Sequence, residues 1–161
     1  MHPNATAVLA SATRLGLVVS HACYPDGART AQDAATAIGC SVGQIVKSLI
    51  FYVHPADATP EVVLALVSGS NQLDEKRLAV VAGALGTSRA DADAVRVATG
   101  FPIGGVPPLG LATGVRVFAD EDLLGYETVW AAAGTPRDVF SVSPAKLIEA
   151  VGATIAALRR P

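Results

Sequence analysis

Charged and aromatic residues are both scarce in this chain of 161 amino acids. Charged side chains account for 16% of the residues and aromatic side chains for 5%, whereas apolar residues make up 51%. The apolar share excludes a disordered chain and predicts one globular domain over residues 1–161, which buries roughly two-thirds of its unfolded surface. So few aromatic residues leave little room for large aromatic stacking platforms.

An excess of basic residues is also lacking. Twelve Lys and Arg stand against fourteen Asp and Glu, which gives a formal net charge of -2 and a pI of about 5.8. Proteins that hold nucleic acid by its phosphates usually present a basic face, because released counterions supply much of the affinity. If a nucleic acid is the substrate, this domain is expected to grip only its end, or a partner supplies the rest.

Cysteines and long apolar runs are equally rare. Cys23 and Cys40 form no Cys-x-x-Cys motif, which favours reduced thiols over a metal site or a disulfide. The N-terminus lacks the layout of a signal peptide, and no apolar run reaches the ~20 residues that cross a bilayer. We therefore predict a cytoplasmic protein, monomeric or homodimeric, with no membrane association, metal or cofactor.

Capping and turn signals divide the chain into short elements, beginning with a helix for which Asn4 is the predicted N-cap. Thr30 and Ser143 are the predicted N-caps of two later helices, and Gly39 is the predicted end of the first of these two. This order is not the regular alternation of a doubly wound sheet. It predicts the mixed α/β class, with a curled mixed sheet or pseudo-barrel flanked by helices. The predicted helices are 4–15, 30–38, 74–85, 88–98 and 143–158, and the predicted strands are 17–19, 45–53, 62–67, 115–118, 128–131 and 139–142.

One lysine stands inside the most apolar of the predicted strands. Side chains alternate between the two faces of a strand, so Lys47 shares its face with Leu49 and Phe51. A lysine buried without a partner would lose its charge, so it should meet a carboxylate, carbonyl oxygens or a ligand. The alternative is a lysine at the strand edge whose ammonium reaches water.

A segment rich in glycine and proline, residues 100–110, follows about fifty residues later. Its glycines let the backbone approach a ligand closely, and its prolines hold that backbone rigid. The segment is neither a GxGxxG dinucleotide turn nor a P-loop. Gly104 and Gly105 can present consecutive N–H groups to a carbonyl or an oxyanion, although a plain turn between helix and strand is equally allowed.

Two further features give weaker signals. The loop of residues 68–71 follows a predicted strand and lines a binding site in one interpretation, while capping and turn formation explain it nearly as well. His2, His21 and His54 have no apparent carboxylate or cysteine partner at ligand spacing, and no Ser-His-Asp order with a nucleophile elbow is present. We therefore assign no catalytic role to a histidine.

Four segments in register resemble the YbaK/ProX family of trans-editing aminoacyl-tRNA deacylases, which is related to the editing domain of bacterial prolyl-tRNA synthetase. They are Val46 to Leu49, Ser68 to Asp74, Thr99 to Gly110 and Ala133-Gly134, within a resemblance that covers roughly residues 14–150. It implies hydrolysis of the ester between a wrong amino acid and the terminal adenosine of tRNA. The expected substrate is tRNA for proline carrying alanine or cysteine, with prolyl-tRNA synthetase as a further partner.

The resemblance also implies roles for residues. Lys47 matches the family lysine, the catalytic residue that positions the terminal phosphate or ribose and stabilises developing negative charge. The glycine segment would hold the aminoacyl carbonyl and the 3′ end. The implied substrate-binding residues are Ser68, Gly69, Asn71, Gly100, Gly104, Gly105, Val106, Pro107 and Gly134, and further candidates for the pocket are Cys23, Tyr24 and Asp138.

Two stretches depart from the family pattern. Residues 21–26 replace a tyrosine and an acidic-histidine pair that many members have, and Pro107 stands where a serine is common. These departures motivate an alternative, a non-catalytic module that binds a synthetase or the tRNA 3′ end. A third hypothesis is a small-molecule hydrolase or a nucleotide-binding protein. Lys47 and the intact glycine segment favour the deacylase, whose activated ester substrate needs no protein nucleophile.

Overall fold

The computed structural model describes residues 1–161 and contains five α-helices and eight β-strands. The helices are α1 (Pro3–Arg14), α2 (Ala31–Ile38), α3 (Glu75–Ala82), α4 (Ala92–Thr99) and α5 (Pro144–Val151). The strands are β1 (Ser20–Cys23), β2 (Val46–His54), β3 (Glu61–Ser68), β4 (Gly86–Arg89), β5 (Arg116–Asp120), β6 (Val129–Ala132), β7 (Asp138–Val142) and β8 (Thr154–Ala156). None of the helices combines the length and the apolar character that a segment crossing a bilayer requires.

The strands form two sheets. The larger has the order β4-β2-β3-β5-β8 and is mixed, because β3 pairs antiparallel with β2 but parallel with β5. The smaller is antiparallel and has the order β1-β7-β6. A parallel β-bridge between Ile45 and Trp130 joins them. The predicted mixed α/β class is confirmed, whereas the curled sheet is divided in two and does not close into a barrel.

Both faces of the larger sheet are buried. Ile50 points into a core shared with α1, α5 and the smaller sheet, where Phe140 is fully buried. Phe51, the next residue of β2, points into a second core with Leu78 of α3 and Leu158. The alternation of side chains along a strand produces this division. Each fully buried leucine contributes roughly 2 kcal/mol through removal of apolar surface from water.

Caps explain where the first two helices begin. The Thr30 hydroxyl caps α2, which ends at Gly39 in the left-handed conformation, as predicted. The predicted Asn4 cap of α1 is wrong, because Nδ1 of His2 accepts the Asn4 backbone N–H at 3.0 Å. The Asn4 side chain donates instead to the Gly134 carbonyl oxygen at 3.0 Å. It therefore ties α1 to the loop of residues 133–137.

Three element boundaries differ from the prediction for local reasons. Residues 17–19 form no strand, because the Leu17 N–H still donates to Ala12 at the end of α1. The third helix ends at Ala82, since Gly83 adopts the left-handed conformation that closes it. The last helix ends in the same way at Gly152 rather than at residue 158.

Two strands were not predicted, one before α4 and one after α5, and β1 begins at Ser20, directly after the segment predicted as the first strand. Strand β4 covers part of the segment predicted as the start of the fourth helix, and it pairs with the end of β2. Asp91 therefore caps α4, which begins at Ala92. Strand β8 extends the larger sheet beyond β5.

Candidate functional site

A cavity of about 930 Å³ lies between β2 and the smaller sheet. Hydrophobic residues make up 17 of the 29 residues that line it, so the few polar groups of the wall stand out. Five residues predicted from the sequence line this cavity together, and they come from four separate parts of the chain. They are Lys47, Gly69, Gly104, Val106 and Asp138.

Lys47 is half-buried on the β2 wall of this cavity. Its Nζ donates a hydrogen bond to the backbone carbonyl oxygen of Asn71, as expected for a lysine within an apolar strand. Burial lowers the pKa of Lys47 below its ordinary value, and the Asp120 carboxylate acts in the opposite direction. Because a lysine has three N–H donors, two are left for an oxygen atom of a ligand.

A polar network fixes the loop behind Lys47. Nδ2 of Asn71 donates to Asp120 at 2.8 Å and to Asp122 at 2.9 Å. Asp120 is fully buried and also accepts from the backbone N–H of Ser68 at 3.2 Å. Asp122 in turn pairs with Arg159 at 2.7 Å. The Asn71 side chain therefore points into this network and not into the cavity.

The glycine segment packs against the loop of residues 133–137. A Cβ atom at Gly105 would lie 2.8 Å from Cα and 2.9 Å from N of Thr135, so this approach requires a glycine. Gly104 and Val106 lie on either side of it and line the cavity. No hydrogen bond within the protein uses the backbone N–H of Gly104 or Val106. Both N–H groups are therefore without a partner inside the protein, on residues that line the cavity.

The other predicted residues lie outside the wall of this cavity. Gly100 closes α4 as its C-cap, and Pro107 is a buried residue of the glycine segment. Oγ of Ser68 is buried and donates to the Gly43 carbonyl oxygen at 2.7 Å. Cys23 lines a different cavity. The remaining ones are Asn71, Gly105 and Gly134, described above, and Tyr24, whose N–H donates to the Arg137 carbonyl at 2.8 Å.

A second cavity, of about 660 Å³, lies on the other side of Asp138. Its wall includes His21, whose Nε2 is 2.7 Å from Asp138 Oδ1. Thr135 Oγ1 donates to Asp138 Oδ2 at 2.6 Å. Burial opposes ionisation of Asp138, but the bonds from Thr135 and His21 outweigh it, and the pKa of Asp138 lies below its ordinary value.

The prediction that His21 has no carboxylate partner is wrong. Its partner lies 117 residues away in the sequence and is brought close by the pairing of β1 with β7. Spacing along the chain carries no sign of this contact, because the two strands meet only in the folded sheet. No group of three or more His, Cys, Asp or Glu side chains is arranged to hold a metal ion.

Sequence reasoning also missed three residues of the main cavity. Arg29 and Arg89 line it, and neither forms an ion pair. Together with Lys47 they place three cations opposite one carboxylate, that of Asp138, although the whole chain has a net charge of -2. Trp130 is partly exposed and lines the same cavity. The cavity thus offers positive charge and one accessible aromatic face.

The fold and the cavity define a mixed α/β domain in which a cavity with three cationic side chains includes a half-buried lysine of a strand. The chain belongs to the aminoacyl-tRNA editing domain family, whose model matches residues 25–150. This match confirms the resemblance drawn from Lys47 and the glycine segment, and with it an editing function at the level of the family.

Individual relatives agree with this assignment. The proline–tRNA ligase of Nitratidesulfovibrio vulgaris strain DP4 is 36% identical over 112 residues, which cover 70% of this chain but only 18% of the ligase. The uncharacterized protein YwhH of Bacillus subtilis strain 168 is 30% identical over 78% of this chain and 77% of its own. The crystal structure of a candidate trans-editing enzyme for prolyl tRNA synthetase is 41% identical, with a TM-score of 0.88 over 100% of this chain and 99% of that one.

Proposed function

We propose that this protein is a trans-editing deacylase that removes a wrongly attached amino acid from tRNA. The proposed substrate is tRNA for proline that carries alanine or cysteine, and prolyl-tRNA synthetase is the proposed partner. One observation carries the proposal: Lys47 and the free N–H groups of Gly104 and Val106 share a single cationic cavity. The relationship to proline–tRNA ligases supports the choice of tRNA.

The charge distribution suits a ligand that enters only by its end. The three cations of the cavity wall suit the terminal phosphates of tRNA, whereas the chain as a whole has a net charge of -2 and is not basic overall. The mostly apolar wall suits a small side chain such as that of alanine. A synthetase site cannot strongly reject a side chain that is merely smaller than its own, which is why such products require editing.

The proposed reaction is the hydrolysis of an ester. Water attacks the carbonyl carbon of the aminoacyl group, and the carbonyl oxygen acquires negative charge. The Lys47 ammonium and the N–H groups of Gly104 and Val106 stabilise that charge. The bond to the ribose oxygen then breaks, the ribose oxygen takes up a proton, and the free amino acid leaves. The neighbouring ribose hydroxyl assists the attacking water, as the family resemblance implies.

The test is deacylation of tRNA for proline charged separately with alanine, cysteine, serine and proline. We expect hydrolysis of the alanine or cysteine ester, with the proline ester spared. Replacement of Lys47 by Ala should lower kcat by about 10²- to 10³-fold, because one donor to the developing oxyanion is lost. Lys76→Ala is the matched control, since Lys76 is an exposed lysine of α3 outside the cavity.

Two results would contradict the proposal. Hydrolysis of none of the four esters by a folded protein would leave a module that binds the tRNA end or a synthetase without catalysis. Equal rates for Lys47→Ala and the intact protein would remove Lys47 from the mechanism even if an ester were cleaved.

A further inference from the structure

A continuous set of polar contacts leads from the surface to Lys47. Arg159 Nη1 donates to Asp122 Oδ2 at 2.7 Å, and the same carboxylate accepts from Nδ2 of Asn71 at 2.9 Å. The backbone carbonyl oxygen of Asn71 then accepts from the Lys47 ammonium. Asn71 thus contacts the lysine with its main chain and the carboxylates with its side chain.

The two carboxylates fix the orientation of Asn71. Its amide nitrogen has two N–H donors, and both are used, one by Asp120 and one by Asp122. Asp120 is itself held by the backbone N–H of Asp122 at 3.0 Å and cannot turn away, because it is fully buried. The backbone carbonyl group of Asn71 is therefore held in one orientation. This orientation fixes the position of the Lys47 ammonium, which donates to it.

Backbone pairing between residues 158–160 and residues 72–74 places Arg159 beside this network. Arg159 forms an isolated antiparallel β-bridge with Leu73, two residues after Asn71. The Asp74 N–H donates to the Leu158 carbonyl at 2.7 Å, and the Arg160 N–H donates to the Gln72 carbonyl at 2.9 Å. Residues 158–160 lie outside the residues 25–150 that the family model matches, so this support is a feature of this chain rather than of the family model.

We propose that Asn71 is a positioning residue for Lys47 and that Arg159 holds it in place through Asp122. The ammonium is then fixed by the Asn71 carbonyl with two N–H donors free for the substrate. The functional part of this inference rests on the proposed deacylase, because it assumes that Lys47 acts on the ester. The structural part, an immobilised Lys47, does not depend on any activity.

The structural part can be observed directly by NMR. The chain has only three lysines, Lys47, Lys76 and Lys146, so labelling lysine with ¹³C and ¹⁵N gives three side-chain signals. Lys47→Arg assigns the signal of Lys47. In the intact protein its two Hε protons should have separate chemical shifts, because the side chain is held in one orientation. In Arg159→Gln and Asn71→Ala these two shifts should move towards each other.

The functional part is tested by measuring the effect of each substitution on kcat and on KM separately. Asn71→Ala should lower kcat by about tenfold and change KM by less than about twofold, since a misplaced ammonium affects the transition state more than binding. Arg159→Gln should have a smaller effect, about two- to fivefold, because an exposed ion pair contributes little. Arg159→Lys should restore most of the loss. In the Lys47→Ala background neither substitution should lower kcat further.

Arg116→Gln is the matched control for Arg159→Gln. Arg116 pairs with Glu61 at 2.8 Å, and the side chains in this pair are 49% and 40% exposed, against 54% and 34% for Arg159 and Asp122. It does not contact the Asn71 network, so its substitution should leave the Lys47 signal and kcat unchanged. If Asn71→Ala fails to fold, the surface substitution Arg159→Gln still provides the test.

The possible outcomes separate the two proposals. Unchanged Hε shifts of Lys47 in folded Arg159→Gln and Asn71→Ala would overturn the positioning role. A loss of kcat in the Lys47→Ala background equal to that in the intact protein would also overturn it. A Lys47 signal that responds as expected, in a protein that cleaves no aminoacyl ester, would reject the proposed function and leave the support of Lys47 by Asn71 standing.

Discussion

His21 Nε2 lies 2.7 Å from Oδ1 of Asp138, on the neighbouring strands β1 and β7. Asp138 lines both cavities, so this contact forms part of the wall between them. The carboxylate is almost fully buried and accepts from Thr135 on its other oxygen. Its charge is therefore matched by partners that only the folded chain provides.

The stability of the protein should depend on pH through Asp138. Its pKa in the folded protein lies below the ordinary value of 3.8, so its contribution is fully present above about pH 4 and is lost as the pH falls through the folded pKa. Asp138→Asn should cost about 1–3 kcal/mol at pH 7. Denaturant unfolding between pH 2 and 7 measures the free energy of unfolding of the intact protein and of Asp138→Asn. The difference between these two free energies should shrink at low pH. Asp57→Asn, at an exposed site, is the control, and a difference independent of pH would contradict this role.

Gly105→Ala should separate the glycine segment from the loop that carries Thr135. The added methyl group would lie within 3.0 Å of backbone atoms, which cannot move as a side chain end can. We expect a loss of about 1–3 kcal/mol in the free energy of unfolding and a lower kcat. Gly114→Ala is the matched control, because a Cβ atom there meets nothing within 4 Å. Equal stability of the two variants would mean that the close approach is not required.

Ser48→Ala should not destabilise the protein. Its Oγ is the one buried side-chain nitrogen or oxygen atom without a hydrogen-bond partner, so removing it relieves an unsatisfied polar group. We expect an unchanged or higher melting temperature. Ser68→Ala provides the contrast, because it removes a buried bond of 2.7 Å to Gly43 and should cost about 1 kcal/mol. A loss of stability in Ser48→Ala as large as that in Ser68→Ala would contradict the assignment.

Trp130 should stack on the adenine of the tRNA end. It is the only tryptophan of the chain, so quenching of its fluorescence by adenosine monophosphate reports on contact directly. Trp130→Ala should raise KM by about 5- to 150-fold, since stacking of one base contributes about 1–3 kcal/mol. Trp130→Phe, which retains an aromatic face, should show a smaller increase. A KM that is the same in all three proteins would exclude stacking.

The cavity arginines should determine how binding depends on salt. Each phosphate contact to a single strand changes the slope of log K against log salt concentration by about 0.7. The double substitution Arg29→Gln with Arg89→Gln should therefore reduce the slope by about 1.4. Titration of the tRNA 3′ end from low to moderate salt measures this. Arg96→Gln is the control and should leave the slope unchanged, because Arg96 lies outside the cavity. An unchanged slope in the double variant would show that neither Arg29 nor Arg89 contacts a phosphate.

Local signals in the sequence were sufficient where one residue determines its own surroundings. Thr30, Gly39 and Ser143 act through neighbouring backbone groups, and each was predicted as a cap or helix end. Lys47 was found because its charge conflicts with the strand around it. Strands β4 and β8 were missed, since each is only four or three residues long and depends on a partner strand for its hydrogen bonds.

The missed parts of the site have the same cause. Arg29 and Arg89 are ordinary surface residues in the sequence, and only the position of the cavity gives them a common role. The contact of His21 with Asp138 likewise exists only once β1 lies beside β7. The glycine segment was recognised, but which of its residues line the cavity depends on how it packs against Thr135.

The pairing of β1 with β7 also has a consequence for the order of folding. The turn between β2 and β3 brings together Val53 and Glu61, which are 8 residues apart, whereas Ser20 and Ser141 are 121 residues apart. Distant pairings form late, because the entropy of closing a long loop is lost before the contact compensates for it. We expect a nascent or partly folded chain to contain the Lys47 wall well before the Asp138 wall. The cavity is therefore complete only after the last contacts of folding have formed, and we expect incompletely folded molecules not to bind a ligand.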